Sequence, residues 1–306
     1  MEALRRRIEE LETFPEGSAA RRELDSLRRE LRRTTAETFR HLDAWQRTQV
    51  ARHVDRPYTL DYVSGLMSDW VELHGDRAFG DDAAIVAGFA AFRGRSVAVI
   101  GHQKGRGTTE RIRRNFGQAH PEGHRKALRV MQLAARFGRP VLSFIDTPGA
   151  YPGTGAEERG QAESIAANLI AMAALPVPIV AVITGEGWSG GALAIGVADR
   201  VLMLEHAVHS VITPEGCAAI LWRDQERKAD AAEALKITAP DLLRLGVIDE
   251  IIPEPAGGAQ ANHEETLRAV GDRLDGQLRK LERRSSDELV RARYERYRAF
   301  GVFEER

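Results

Sequence analysis

Residues 185–191 (Gly-Glu-Gly-Trp-Ser-Gly-Gly) place four glycines in seven positions. The β-branched apolar run Pro178–Ile183 precedes them, and the small apolar residues Ala192–Ala198 follow. This order reads as buried strand, glycine-rich turn, buried helix. Missing β-carbons let a ligand approach the main chain closely. The first amides of a helix have no intrahelical acceptor and point at whatever sits beyond them. Such a turn can hold an oxygen that gains negative charge during a reaction. Gly190 and Gly191 are the candidate catalytic donors, acting through their amides, with Gly187, Trp188 and Ser189 beside them. Gly153-Thr154-Gly155, at a second strand-to-helix junction, is the candidate opposite wall. A tight turn packed on a neighbour is the purely structural reading.

The same stretch also fits G-x-S-x-G, the nucleophile elbow, with Ser189 as nucleophile. A hydrolase of that kind needs a histidine and an acid later in the chain. His206, His209 and His263, with Asp199, Asp224 and Asp249, are available but lie in no distinctive local pattern. Lys104, Arg106 and Arg111, followed by Arg113 and Arg114, make a local positive patch that suits a carboxylate or an acidic cofactor tail. The patch lacks the Gly-Lys-Ser/Thr of a phosphate loop. Without one, Asp146-Thr147-Pro148-Gly149 only imitates the magnesium-contacting turn of GTPases. Cys217 has apolar neighbours and reads as a buried thiol.

The elements that must position these residues follow from periodicity. Residues 1–56 read as helices: Leu4, Ile8 and Leu11 share one face, Leu24, Leu27 and Leu31 another, with a break at Pro15–Ser18. The narrow apolar stripe needs a cover from the main domain or from another chain. Thr59–Leu73 is expected to be one helix. Ala84–Phe92 and Ser96–Gly101 read as a hairpin turning at Arg93-Gly94-Arg95. Lys126–Phe137 reads as an amphipathic helix, Val141–Ile145 as a strand, Ala156–Ala174 as one long helix and Val201–Leu204 as a strand. Pro214–Trp222 and Ala229–Ile237 read as helices, Val247–Ile252 as a strand and 263–299 as charged helix. Alternating strands and helices argue for an α/β fold with mainly parallel pairing.

Composition bounds the rest. The chain has 306 residues, 43% hydrophobic and 29% charged, with net charge −1. That balance offers no general field to recruit nucleic acid or membrane. A single cysteine excludes an intrachain disulfide framework and a multi-cysteine zinc site. The first residues lack the apolar stretch of a signal peptide, and a cytoplasmic protein is the default expectation.

Taken together, several phrases resemble one family, the alpha subunit of the carboxyltransferase component of bacterial-type acetyl-coenzyme A carboxylase. They are RPYTLDYV (56–63), ELHGDRAFGDD (72–82), IGHQKGR (100–106), RIRRNFG (111–117), PEGHRKALR (121–129), FIDTPGAYPGTGAEERGQ (144–161), GEGWSGGALAIGV (185–197) and PEGCAAILW (214–222), continued by LKIT (235–238) and IDEIIPEP (248–255). The resemblance covers roughly residues 56–258. Trp188 stands where the family leads one to expect glycine, and His209 where tyrosine is usual.

The resemblance implies an α/β crotonase-like (ClpP/crotonase) spiral of β-β-α units. It divides the chain into an N-terminal helical extension (1–56), a carboxyltransferase core (57–258) and a C-terminal helical tail (259–306). It implies transfer of a carboxyl group from carboxybiotin, on a biotin carboxyl carrier protein, to acetyl-coenzyme A. The product is malonyl-coenzyme A, in the first committed step of fatty-acid synthesis, and the overall reaction depends on ATP and biotin carboxylase. It also implies a beta subunit that carries the zinc and most of the acyl-coenzyme A site, in an α2β2 heterotetramer. In that setting Gly190 and Gly191 serve the biotin side. The rivals are a Ser189 hydrolase, a non-catalytic scaffold and a stand-alone crotonase-type acyl-coenzyme A enzyme; the last would need a carboxylate pair, and none is evident.

Overall fold

A computed structural model describes residues 2–14 and 19–301, so the expected break at Pro15–Ser18 lies outside the described residues. The chain opens with helices α1 (Glu2–Glu12), α2 (Ala19–Arg40), α3 (Ala44–Ala51) and α4 (Thr59–Leu66). Strands β1 (Ser68–Glu72), β2 (Ile85–Phe92) and β3 (Arg95–His102) follow, then α5 (Gly107–Arg113), α6 (Pro121–Arg136) and β4 (Val141–Thr147). Next come α7 (Thr154–Glu158), α8 (Gln161–Ala174), β5 (Ile179–Trp188), α9 (Ser189–Leu193), β6 (Arg200–Leu204) and β7 (Val208–Ser210). The chain continues through α10 (Pro214–Trp222), α11 (Lys228–Ala234), α12 (Ala239–Arg244), β8 (Glu250–Ile252), α13 (His263–Leu281) and α14 (Ser286–Arg298).

The strands form one sheet in the order β1-β2-β3-β4-β5-β6-β8, with β7 paired to the far end of β5. The β1–β2 and β2–β3 pairs are antiparallel and all the others are parallel. Every residue of β4 and β5 is buried, as expected for parallel strands covered on both faces and coded by uninterrupted apolar runs. The β2–β3 hairpin turns at Arg93 (φ 47°) and Gly94 (φ 80°), both left-handed. The apolar stripes of α1 and α2 cover each other: Ile8, Leu11 and Leu24 form a small cluster with Leu27 and Leu31. Helices α13 and α14 contribute Val270, Leu274, Leu278, Leu281 and Leu289 to the main core.

Several elements depart from expectation. The helix from Thr59 stops at Leu66, because Met67 turns extended and Ser68–Glu72 pairs with the free edge of β2. The helix expected over Ala156–Ala174 breaks at Gly160, whose φ of 83° no continuous helix accommodates. Gly185 and Gly187, expected in the turn, lie inside β5, which runs on to Trp188. Gly185 is required there because a β-carbon would fall 2.5 Å from Asp146 Oδ1. Among the described residues no helix is long and apolar enough to cross a membrane.

Candidate functional site

Strands β4 and β5 run parallel, in register from Val141 opposite Ile179 to Ile145 opposite Ile183, and after a shift of register pair again at Thr147 opposite Gly187. Their carboxyl ends therefore open at one edge of the sheet, the edge where such sheets bind ligands. After Trp188 the chain turns at Ser189, whose φ is 55°, and enters α9. After Thr147 it turns at Gly149, whose φ is 132°. The Gly149 amide donates to Thr147 Oγ1 at 3.1 Å, and that hydroxyl lies 2.7 Å from the Gly117 carbonyl oxygen.

The two turns meet at Gly191. A β-carbon on this buried residue would lie 2.6 Å from the Ala150 nitrogen and from the Gly149 carbonyl carbon, so only glycine allows the approach. A β-carbon on half-buried Gly190 would meet only the flexible end of Ile165, at 3.1 Å. Gly190 and Gly191 follow Ser189 in the first turn of α9, where main-chain amides have no acceptor within the helix. The geometry thus presents two adjacent main-chain donors at the meeting point of two strand-end loops.

Behind these turns lies a buried charge network. Lys104 Nζ is 2.7 Å from Asp146 Oδ1 and 2.7 Å from Glu186 Oε1. Glu186 Oε2 accepts from Arg52 Nε at 2.7 Å and from Trp188 Nε1 at 2.6 Å. The Glu186 amide donates to Asp146 Oδ1 at 3.0 Å. Arg52 continues to Glu215 Oε1 at 2.6 Å, which joins α3 to α10. Burial opposes the charge on Glu186, but Lys104 and Arg52 together outweigh it and hold the carboxyl at about 2. Burial pushes the Asp146 carboxyl above its ordinary value against the pull of the shared ammonium. Burial also opposes the Lys104 charge, and the two carboxylates outweigh it, keeping the ammonium protonated well beyond its ordinary range.

The sequence-based site is therefore redrawn. Lys104 is not an anion contact: its side chain is 12% exposed and neutralises two internal carboxylates. Arg106 grips Asp61 through both terminal nitrogens, at 3.1 and 2.8 Å, above the Tyr58 ring. Arg111 stacks on Phe116. The expected positive patch thus has most of its charge satisfied locally. Trp188 does not face a ligand: its ring is 0% exposed and packs with Ala44, Ala51, Val208, Ala232 and Ile237. Gly153 caps α7, and a β-carbon there would fall 2.4 Å from Tyr151 Cε1; Thr154 is exposed and Gly155 half-buried. Gly191 faces Gly149 and Ala150 rather than Gly153–Gly155.

The hydrolase triad is not assembled. Ser189 is exposed, but His209 Nδ1 lies 2.6 Å from the Gly187 carbonyl oxygen, His206 Nδ1 pairs with Arg47, and His263 Nε2 with the Asp55 carbonyl oxygen. The acids are also engaged: Asp199 by Arg293, Asp249 by Arg296, and Asp224 by the Glu226 amide. Cys217 is buried. Among the described residues no cluster of three or more His, Cys, Asp or Glu side chains is arranged to hold a metal ion. Asp146, Glu186 and Arg52 escaped the sequence reading. The one visible signal for Asp146 and Glu186 was an acid inside each of two apolar strands just before a glycine turn, and Arg52 had none.

Comparison with known proteins gives the family and the fold. A family model described as acetyl co-enzyme A carboxylase carboxyltransferase-like matches residues 1–301. The acetyl-coenzyme A carboxylase carboxyl transferase subunit alpha of Geobacter metallireducens is 60% identical over 267 residues, covering 87% of this chain and 84% of that protein. Among solved structures, transcarboxylase 12S with methylmalonyl-coenzyme A bound is similar with a TM-score of 0.60 at 22% identity, over 75% of this chain and 44% of that one. A Pseudomonas malonate decarboxylase hetero-tetramer in complex with coenzyme A gives 0.61 at 18% identity, over 77% and 91%.

Proposed function

The chain belongs to the acetyl-coenzyme A carboxylase carboxyltransferase alpha-subunit family, and on that premise we propose that its 189–191 turn stabilises the oxygen that takes up charge as a carboxyl group leaves carboxybiotin for acetyl-coenzyme A. The chain is a transferase subunit of crotonase-like α/β fold, and the reaction makes malonyl-coenzyme A for fatty-acid synthesis. The observation that carries the site assignment is the close approach of two loops at Gly191, too close for any β-carbon there, in the first turn of α9 where main-chain amides have no acceptor within the helix.

Transfer leaves negative charge on the ureido oxygen of the donor and, as the α-proton departs, on the thioester oxygen of the acceptor. The Gly190 and Gly191 amides meet the first of these charges, with no reactive side chain required. Loss of one such donor costs other enzymes about 3–4 kcal/mol. The 153–155 segment, exposed at Thr154 and continuing the loop that touches Gly191, borders the path by which biotin enters. The second charge falls to a beta subunit, which brings the zinc and most of the acyl-coenzyme A contacts in an α2β2 assembly working in the cytoplasm. A biotin carboxyl carrier protein delivers the donor and biotin carboxylase recharges it. A Pseudomonas malonate decarboxylase of similar fold is a hetero-tetramer, which is in keeping with a multi-subunit assembly here.

The test is malonyl-coenzyme A-dependent carboxylation of free biotin, the reverse reaction, with the beta partner present. Gly191→Ala puts a methyl group into the Gly149–Ala150 backbone and is expected to lower kcat about a hundredfold, as ångström-scale misplacement does, with assembly retained. Gly190→Ala meets only Ile165 and is expected to stay within severalfold of the parent. Full turnover by an assembled Gly191→Ala complex sinks the proposal.

A further inference from the structure

Lys104 leaves the end of β3 and reaches across β4 to β5, where its ammonium bridges two buried carboxylates at 2.7 Å each. Their places are specific. Asp146 immediately precedes Thr147-Pro148-Gly149-Ala150, and Glu186 lies two residues before Trp188 and three before Ser189. Each carboxylate thus marks the base of one of the two turns that meet at Gly191. Glu186 is held from its other side by Arg52 and is bonded to the indole of Trp188, which fixes the residue from which the left-handed Ser189 departs. Gly185, without a β-carbon, leaves the room that the Asp146 carboxylate fills.

We infer that Lys104 is a positioning residue for carboxyl transfer: it holds Asp146 and Glu186 together and thereby sets the spacing between the Gly149–Ala150 segment and the Ser189–Gly191 turn, while Arg52 braces Glu186 from behind. This rests on the oxyanion role given to that turn. Stability alone does not ask for the device, since well-packed apolar residues commonly replace buried ion pairs without loss. Spacing does ask for it. The contact at Gly191 is so close that relaxation of either carboxylate must alter how the two amides are aimed. Without the ammonium, Asp146 and Glu186 are left as adjacent like charges and move apart.

The experiment uses the full alpha chain assembled with its beta partner, in the biotin carboxylation assay, for Lys104→Met, Glu186→Gln and Gly191→Ala. The expected result for Lys104→Met is a fall in kcat of about ten- to a hundredfold. KM for malonyl-coenzyme A and for biotin should stay within about twofold, as for an interaction expressed only in the transition state. Mass photometry reports the assembled fraction. If Lys104→Met does not assemble, the near-isosteric Glu186→Gln decides: reduced kcat in an intact complex supports the inference, and parental kcat overturns it. Parental kcat in assembled Lys104→Met, or a loss matched wholly by lost assembly, also overturns it. Activity retained in Gly191→Ala would instead remove the oxyanion reading itself, whereas activity lost there but kept in Lys104→Met removes only the positioning role.

Discussion

At the scale of single residues, the chain keeps ionisable groups where water cannot help them. His102 and His124 are both buried, and burial lowers their pKa values to about 3 and about 4. The unfolded chain binds protons at both rings from about pH 6.5 downward, while the folded chain does not. The unfolded state therefore gains protons first, and stability falls as pH drops from about 6.5 towards the folded-state values. The limit is about 1.4 kcal/mol per pH unit for each ring. Denaturant melts at pH 7 and pH 5 should show this slope, and His102→Gln, which takes up no proton, should remove the part due to that ring and leave the part due to His124. Glu186 acts in a lower window: its depressed pKa contributes stability that is present above the unfolded value and lost only as pH falls towards about 2.

At the scale of elements, the connection from α3 to α4 is fastened by one arginine. Arg56 donates to the Thr184 carbonyl oxygen at 3.1 and 2.8 Å and forms a two-pronged pair with Glu254 at 2.9 and 2.7 Å, with both side chains 0% exposed. This pins the N-terminal helices to β5 and to the segment after β8. Arg56→Met leaves Glu254 buried and unpaired, and should cost about 3–5 kcal/mol in urea unfolding. Arg56→Met with Glu254→Met should regain much of that loss. Elements with local signals were readable: α10 spans Pro214–Trp222 as expected, since Thr213 caps it and Pro214 opens it. The α4–β1 boundary was not readable, because Ser68–Glu72 becomes a strand only through an edge that β2 offers from a distance in the chain.

At the scale of the whole molecule, the last helix completes the core rather than decorating it. Buried Arg293 donates to the carbonyl oxygens of Met172, Leu175 and Val177, at 2.6, 2.8 and 3.0 Å, and pairs with Asp199 at 2.8 Å. Tyr297 Oη accepts from the Ala198 amide at 2.9 Å, close behind α9. A chain ending before Ser286 loses the donor for three buried carbonyls and uncovers the main core at Leu289. It should unfold well below the parent melting temperature or be recovered as aggregate, as read by calorimetry and sedimentation.

What the sequence by itself determined is what neighbours along the chain can impose. Apolar runs specified buried parallel strands, glycine clusters marked the turns at their ends, and long shared phrases carried the family. The role proposed for Gly190 and Gly191 needs only local sequence to suggest it, because main-chain amides require no more than a local turn. The tertiary structure decided what Lys104, Asp146, Glu186 and Arg52 do. Between 40 and 134 positions separate the bonded pairs among them, and their charges acquire meaning only when three strands and a helix bring them together out of water. Tertiary contacts likewise withdrew Trp188 from the site, since its ring settles among residues contributed by α3, β7 and α11.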